Sequence, residues 1–557
     1  MAQEQETQHA LLIPWGYFAR EIGLVSGIEA LKLSQKVYEH TPQAKVLEFL
    51  VAILSGAKYL QDISLAAHPL DKDLAVAAAW GQASWADYTG VSRTLKRLSW
   101  AEAHEIVSVL ERVSRPFLDS ELSKLRSQDR RLQYDGDLTG LPVSNTSRTY
   151  PNASFGHMSD EIRLGYQAGV VSLQSPTYGR LWLSVEHHAG DTVSCTQAEA
   201  LVLAAEKRSG QRPKRRTDLL QKRIEAFVES REPAEKRLVS QRAALAAVQS
   251  AKQEVIAQLQ EETNLKRIPV LERRCVRREK AVQVAMKKLG KTQTWLNKHL
   301  EQEKALRKRL EQYERENSEN SQPVEACFRL DAGFGTYDNI ALLIEMGYEV
   351  YVKLHNHKIV QMLRRKVTDE PTWMRVGNNA EMVSWTGMQL PHCPYPLDIA
   401  LERFYTGQTH KHGALAHFGT IPVTTNLRAW FGEYNARQTI EAGIKEGKGV
   451  FQMHHLKVRS TNALLLQEHF ACFAANFVRF AAHWLSLQQT DDTTVQTHSV
   501  KHMVNVIANT SALVWQQGDV WFLRFTEQSF YAGLVLRFGK GAFQLPLPLF
   551  FWERKIN

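Results

Sequence analysis

The chain has 557 residues, 44 % hydrophobic and 9 % aromatic, enough to bury the cores of three to five domains. Its five scattered cysteines include no C-x-x-C pair, which argues against a disulfide framework and against a cysteine zinc site. No apolar run reaches the roughly 18 residues needed to span a bilayer, and Met1 to Gln8 does not read as a secretion signal, so the expectation is a cytoplasmic protein with no membrane partner. The formal net charge is +10, and it is local: residues 201–320 hold 29 Lys and Arg against 17 Asp and Glu. Such a surplus fits either a nucleic-acid contact or a solvated helical surface.

Residues 1–128 read as helical. The run Val46–Leu54 is apolar enough for a buried helix. Leu74–Trp80, a break at Gly81 and the short run Val91–Leu98 with Ser92, Arg93, Thr94 and Lys96 fit a helix-turn-helix with a long turn, or a plain helical bundle. In residues 129–205 the period changes to that of strands. Arg131 to Asp137 is a strand ending in acids, two more strands follow at Gly165–Leu173 and Leu181–Glu186, and Thr196–Lys207 is a helix with Ser194 or Thr196 as its cap.

Residues 206–323 form a charged block almost free of glycine. Leu238, Leu245, Val248, Val255 and Leu259 keep coiled-coil spacing, and Val282, Leu289, Leu296 and Leu300 keep it again after a turn at Asn264–Pro269. This predicts an antiparallel helical hairpin that interrupts an α/β core. The core resumes over 324–356, where a strand ends at Asp331 and a helix and a further strand follow. Residues 357–424 read as a β-rich insertion, 425–490 as the helical last part of the core, and 491–557 as strand-rich, with Val520–Phe551 its clearest run.

Three acids carry candidate chemistry. Asp137 and Asp331 end strands, and Glu441 lies on a later helix. Side chains at strand ends of an open α/β sheet project into the crevice where ligands bind. Three carboxylates there would suit hard divalent ions, and a pair of ions about 4 Å apart supports phosphodiester cleavage. Asp135, two residues before Asp137 on the same strand face, is an alternative first acid. On one continuous helix Tyr434, Arg437, Glu441 and Lys448 would share an arc of about 60°, a polar stripe that could grip a phosphate beside the metal. Gly443 and Gly447 within that stretch each cost about 1 kcal/mol, so a bend near Gly447 is expected.

The spacing Y-(2)-R-(3)-E-(6)-K resembles the YREK motif of DDE transposases of bacterial insertion sequences, in the insertion-sequence-four family. Asp331-Ala332-Gly333-Phe334-Gly335 resembles that family's second-acid motif, and Asp137-Leu138-Thr139 its first. The likeness covers about 130–205, 325–356 and 425–490. It implies an RNase H-like core with Asp137, Asp331 and Glu441 as ligands of two Mg2+ ions, for which Mn2+ can substitute. It implies Tyr434, Arg437 and Lys448 as contacts to DNA phosphate. It further implies cleavage at terminal inverted repeats, joining to target DNA, and a homodimer on double-stranded DNA in a bacterial nucleoid. The N-terminal helices and the basic hairpin would then supply DNA binding. A catalytically silent DNA-binding regulator and another RNase H-like nuclease, such as a junction resolvase, are the competing readings. His454, His455, Thr424, Asn426 and Arg428 lie near the motif as weaker DNA-contact candidates, and Trp80, Trp85, Trp385 and Trp430 are better read as core than as base-stacking groups.

Overall fold

A computed structural model describes residues 4–158, 161–367, 373–407, 409–455, 457–488 and 498–539. The chain forms two compact units, one of residues 1–212, 324–343 and 348–557, the other of residues 213–323 and 344–347.

The first unit opens with strand β1 (Gln5–Thr7), followed by helices α1 (Leu12–Glu21), α2 (Pro42–Leu54), α3 (Leu74–Ala79), α4 (Tyr88–Arg97) and α5 (Trp100–Ser127). Ser99 and Glu102 close a reciprocal capping box at the start of α5, which fixes where that helix begins. Strands β2 (Leu132–Pro142), β3 (Ser154–Met158), β4 (Glu161–Ser175) and β5 (Gly179–Ala189) then lead to α6 (Ala198–Ser209). The cap of α6 is Gln197, with no side-chain hydrogen bond, because Ser194–Thr196 is spent in a separate tight turn.

After the second unit, β6 (Ala326–Leu330), α9 (Tyr337–Glu345; α7 and α8 belong to the second unit) and β7 (Glu349–Lys353) complete the core. Helix α10 (His357–Lys366) and strands β8 (Met374–Arg375), β9 (Ala380–Met388), β10 (Leu397–Thr406) and β11 (Thr409–Phe418) follow. The chain continues through α11 (Leu427–Asn435), α12 (Gln438–Gly449) and α13 (Thr461–Gln488) to β12 (Ala512–Gln517), β13 (Val520–Phe525) and β14 (Val535–Gly539).

Ten strands make one mixed sheet in the order β3-β4-β2-β6-β7-β11-β10-β9-β8, with β5 also on β4. Strands β5, β4 and β2 are antiparallel, whereas β2, β6 and β7 run parallel. The expected insertion at 357–424 is therefore no separate layer: β11 pairs antiparallel with β7 and extends the same sheet. On one face Tyr134 bonds Ser209 of α6 at 3.1 Å. On the other, Leu427, Trp430 and Tyr434 of α11 bury against Cys327, Tyr351, Ala400 and Leu415. Burying each such large side chain contributes about 1.5–3 kcal/mol.

Helix α13 is long and apolar enough by composition to cross a membrane, although its longest apolar runs are short. Most of it is buried in the first unit against β5 and the N-terminal helices. Its polar residues have interior partners: Glu468 pairs with His187 at 2.7 Å, and Asn476 brackets the Trp182 backbone with bonds of 2.9 and 2.8 Å. Because α1, α2 and α5 bury their apolar faces on this helix, residues 1–128 belong to the same compact unit and are not a body of their own. The helix-turn-helix reading also fails to match: α3 packs on α1 while α4 packs on α2. The C-terminal strands β12–β14 join β1 in a four-stranded sheet, and residues 540–551 of the expected strand-rich run lie outside the described residues.

The second unit is the hairpin, α7 (Thr217–Glu261) and α8 (Ile268–Glu319). Leu238, Val255, Val282 and Leu296 are buried in its seam as their spacing predicts. Leu245, Val248, Leu259 and Leu289 are half-buried, and Leu300 is 40 % exposed, since two helices cover only a narrow stripe. Within the first unit, Val324 N–H donates to Arg212 C=O at 3.3 Å, so the residues flanking the hairpin are hydrogen-bonded neighbours.

Candidate functional site

Parallel register places β2 beside β6, with Asp135 opposite Arg329. Two residues further along, Asp331 leaves the end of β6, whereas Asp137 lies mid-strand: β2 does not end there as expected but stays paired with β4 as far as Pro142, and only its pairing with β6 has stopped. Alternation turns Tyr134 and Gly136 toward α6, so Asp135 and Asp137 face α11 and α12. Asp331 is held at its turn by accepting from Gly333 N–H at 2.9 Å. A Cβ on Gly335 would lie 2.1 Å from the Lys353 carbonyl, so that turn needs glycine to pass β7.

The two acids of β2 have different partners. Asp135 is 1 % exposed and accepts two bonds from Arg329, at 2.6 and 2.7 Å, and Arg329 also donates to the Glu433 carbonyl at 2.8 Å. A bidentate buried pair of this kind commits both oxygens of Asp135 to neutralising Arg329 inside the core, so it is a poor first acid. Sequence reasoning missed Arg329, although an arginine amid the apolar strand Ala326–Leu330 was a signal, because a buried charge must have a partner.

Asp137 instead meets the motif residues. Arg437 Nη2 donates to Asp137 Oδ2 at 3.0 Å, and its Nη1 donates to Glu441 Oε1 at 3.2 Å. Tyr434 directs its hydroxyl at the Leu330 carbonyl, 3.5 Å away. The four motif residues do not lie on one helix. Helix α11 ends at Asn435, Ala436 caps it, and Arg437 caps the start of α12. Bonds from Arg437 N–H to Tyr434 C=O and from Ile440 N–H to Arg437 C=O, at 3.0 and 2.9 Å, tighten this junction. It turns Tyr434 into the core and sets Arg437 at the sheet edge. The chain does not break at Gly447, and α12 runs on to Gly449. Gly443 has its own reason: a Cβ there would lie 2.3 Å from the Arg180 guanidinium carbon.

Electrostatics tie the cluster together. Burial pushes the Asp137 carboxyl up to about 6; Arg437 opposes this, while Asp331 and Glu441 add to it. Burial works against charge on Arg437, yet Asp137, Tyr434 and Asp331 outweigh it and hold the guanidinium above its ordinary value. Burial lowers the Lys448 ammonium, with Asp137 opposing. Asp137 is thus the group at which the charges of Asp331, Glu441, Arg437 and Lys448 meet, although Glu441 is half-exposed at its side chain.

The donor set of Asp137, Asp331 and Glu441 is all hard oxygen, which suits Mg2+ or Mn2+. Among the described residues no three His, Cys, Asp or Glu side chains are gathered into a formed metal-ligand set. The guanidinium of Arg437 lies between two of the three carboxylates, so a divalent ion would compete with it for Asp137 Oδ2 and Glu441 Oε1.

A groove of about 570 Å³ adjoins the cluster, lined by Gly140, Pro142, Arg163, Lys445, Lys448 and His454 among others. At this rim His454 donates from Nδ1 to the Lys448 carbonyl, and its ring lies 3.9 Å from that of His455. Arg180 is 8 % exposed, lies over the Trp182 ring at 5.2 Å, and among the described residues finds no hydrogen-bond partner for its Nε. Of the weaker candidates, Asn426 caps α11 at 3.0 Å, Thr424 bonds Thr386 at 2.8 Å, and Arg428 bonds the Arg375 carbonyl at 3.2 Å. Trp80, Trp85 and Trp430 are buried core, and Trp385 is half-buried on β9.

No protein-family model matches this sequence, and no curated protein matches it.

Proposed function

We propose that this chain is a metal-dependent DDE transposase of the insertion-sequence-four type, built on an RNase H-like core. The observation that carries the reading is the bridge from Arg437 to Asp137 and Glu441, at 3.0 and 3.2 Å, beside Asp331. Asp137 and Arg437, 300 positions apart and both singled out from the sequence, meet beside strand β2. The strand order supports the same reading: three antiparallel strands, then two parallel ones, with acids leaving the first and fourth, is the plan of an RNase H-like core.

In this proposal Asp137, Asp331 and Glu441 hold Mg2+ or Mn2+, which when bound activates water and stabilises the leaving oxygen of a phosphodiester. Arg437 orients two of these carboxylates in the apoprotein and turns to phosphate when DNA arrives; its planar fork suits both partners. Lys448, partly desolvated at the groove, supplies a point charge for the same strand. The substrate is double-stranded DNA, first the terminal inverted repeats and then the target. Two ends must be processed together, so a homodimer on paired ends in the bacterial cytoplasm is part of the proposal.

The test uses duplexes carrying the inverted repeats that flank the coding sequence. The protein should nick them in Mg2+, and Asp331→Ala should fold normally, bind them and not nick. Full cleavage by that variant would sink the assignment.

A further inference from the structure

The charge of the helical hairpin is divided along its length. Residues 213–235 and 299–323, the half nearest its ends, hold eleven Lys and Arg and eleven Asp and Glu. Residues 236–298, the distal half, hold fifteen Lys and Arg against five Asp and Glu. The whole surplus of the hairpin is therefore distal. The near half is also paired: Arg215 with Glu316 at 2.6 Å, Arg231 with Glu235 at 2.8 Å, Arg307 with Glu303 at 2.8 Å and Lys304 with Glu301 at 3.2 Å.

The distal cations form a stripe. Arg273, Arg277, Lys280, Lys287, Lys291 and Lys298 are all exposed on α8. At 100° per residue they fall within an arc of about 80°, opposite the seam residues Val282 and Leu296. Among the described residues none of the six has an ion pair or hydrogen bond. Six like charges left unpaired on one face repel one another and cost stability unless an outside anion relieves them. Over this stretch α8 rises by about 37 Å, close to the roughly 34–36 Å of one turn of duplex DNA.

We propose that this stripe is a sequence-independent binding surface for the phosphate backbone of double-stranded DNA. Duplex DNA carries a charge about every 1.7 Å of its axis, a linear array that a straight row of cations matches. An anionic lipid surface fits less well. Helices that lie on membranes carry a continuous apolar face beside their cations; here the continuous one is the seam between α7 and α8, and the exposed Val276, Val284 and Trp295 stand singly, eight and eleven residues apart along α8. The surface uses no residue of the candidate catalytic cluster and stands whether or not that cluster cleaves DNA.

The test is made on the full chain in EDTA, so no cleavage enters the readout. Binding of a random-sequence duplex is measured by fluorescence anisotropy from about 50 to 200 mM salt. The variant changes all six cations to Gln, which keeps helix propensity, and circular dichroism checks that helix content is retained. Each lost phosphate contact reduces the slope of log K against log salt by about 0.9, so a decrease of about 3–5 is expected, with affinity down tenfold or more at 100 mM. Exchanging Arg for Lys and Lys for Arg at the six positions should retain binding, and the near-half variant Arg307→Gln/Lys308→Gln should change it less than twofold. Unchanged slope and affinity in the six-Gln variant would overturn the proposal. So would a loss confined to phosphatidylserine vesicles with duplex binding intact.

Discussion

Arg437 joins Asp137 to Glu441 through separate nitrogens, at 3.0 and 3.2 Å, and is itself only 5 % exposed. One guanidinium thus ties an acid of strand β2 to an acid of helix α12. Arg437→Lys cannot span both oxygens, because an ammonium lacks the planar fork. Its cleavage rate on flanking-repeat duplexes should fall by about 10² or more. Arg437→Ala should also lower stability by about 3 kcal/mol, at the low end for breaking a buried pair because Glu441 is half-exposed. Urea unfolding measures the second effect, and a variant as stable and as active as the parent would contradict both.

Asp135 and Asp137 should part company on substitution. Asp135→Asn removes a charge from a pair with Arg329 in which both side chains are nearly inaccessible. It should cost about 3–5 kcal/mol, seen as a lower denaturation midpoint. Asp137→Asn should leave the fold intact and remove Mg2+-dependent cleavage. The reverse pattern, with Asp137 structural and Asp135 catalytic, would show that the first acid is misassigned.

The raised Asp137 carboxyl predicts a pH dependence with a definite sign. Its pKa is about 6 in the fold against an ordinary 3.8, so the folded apoprotein holds an extra proton in that window. The stability this gives is complete below 3.8 and is lost as pH rises through about 6. Melting curves in EDTA should therefore show Asp137→Asn gaining on the parent between pH 5 and 7. Divalent ions bind only the ionised carboxylate, so Mg2+ affinity should fall below pH 6, up to tenfold per unit for one proton. Calorimetric titration at pH 5.5 and 7.5 would test this, and equal affinities would rule out Asp137 as a ligand.

The two glycines of α12 should respond oppositely to alanine. Gly443→Ala drives a methyl into the buried Arg180 guanidinium and should cost about 1–3 kcal/mol. At Gly447 a Cβ meets nothing within 4 Å, so Gly447→Ala should stabilise by up to about 1 kcal/mol. Thermal melts of the two variants decide the matter, and equal shifts would mean that α12 does not pack on Arg180 as described.

The site was legible where chemistry depends on spacing and illegible where it depends on tertiary pairing. Asp331 could be chosen from a strand end and Arg437 and Glu441 from motif spacing, whereas Asp137 was chosen for a strand end that proves to be mid-strand. The junction at Ala436 could not be chosen at all, because Tyr434 to Lys448 contains no proline and is compatible with one helix. What divides it is the pull of the core on Tyr434 and of the sheet edge on Arg437. The continuity of β11 with β7 was equally hidden, since strand pairing over 60 positions leaves no local trace. Arg329 was visible as an anomaly, and its partner could be found only from the register of β2 against β6. The hairpin was plain because its heptad spacing is local.

The bond between Val324 and Arg212 has a bearing on how such a protein can vary. The residues on either side of the hairpin are already neighbours, so the sheet keeps its register whatever length of hairpin lies between them. Beyond its buried base residues Arg215, Leu220 and Ile224, the length and charge of the hairpin can then vary without touching a strand. Relatives sharing the two aspartates and the Tyr-Arg-Glu-Lys spacing need not share the hairpin, and a search for them is best made with residues 213–323 removed.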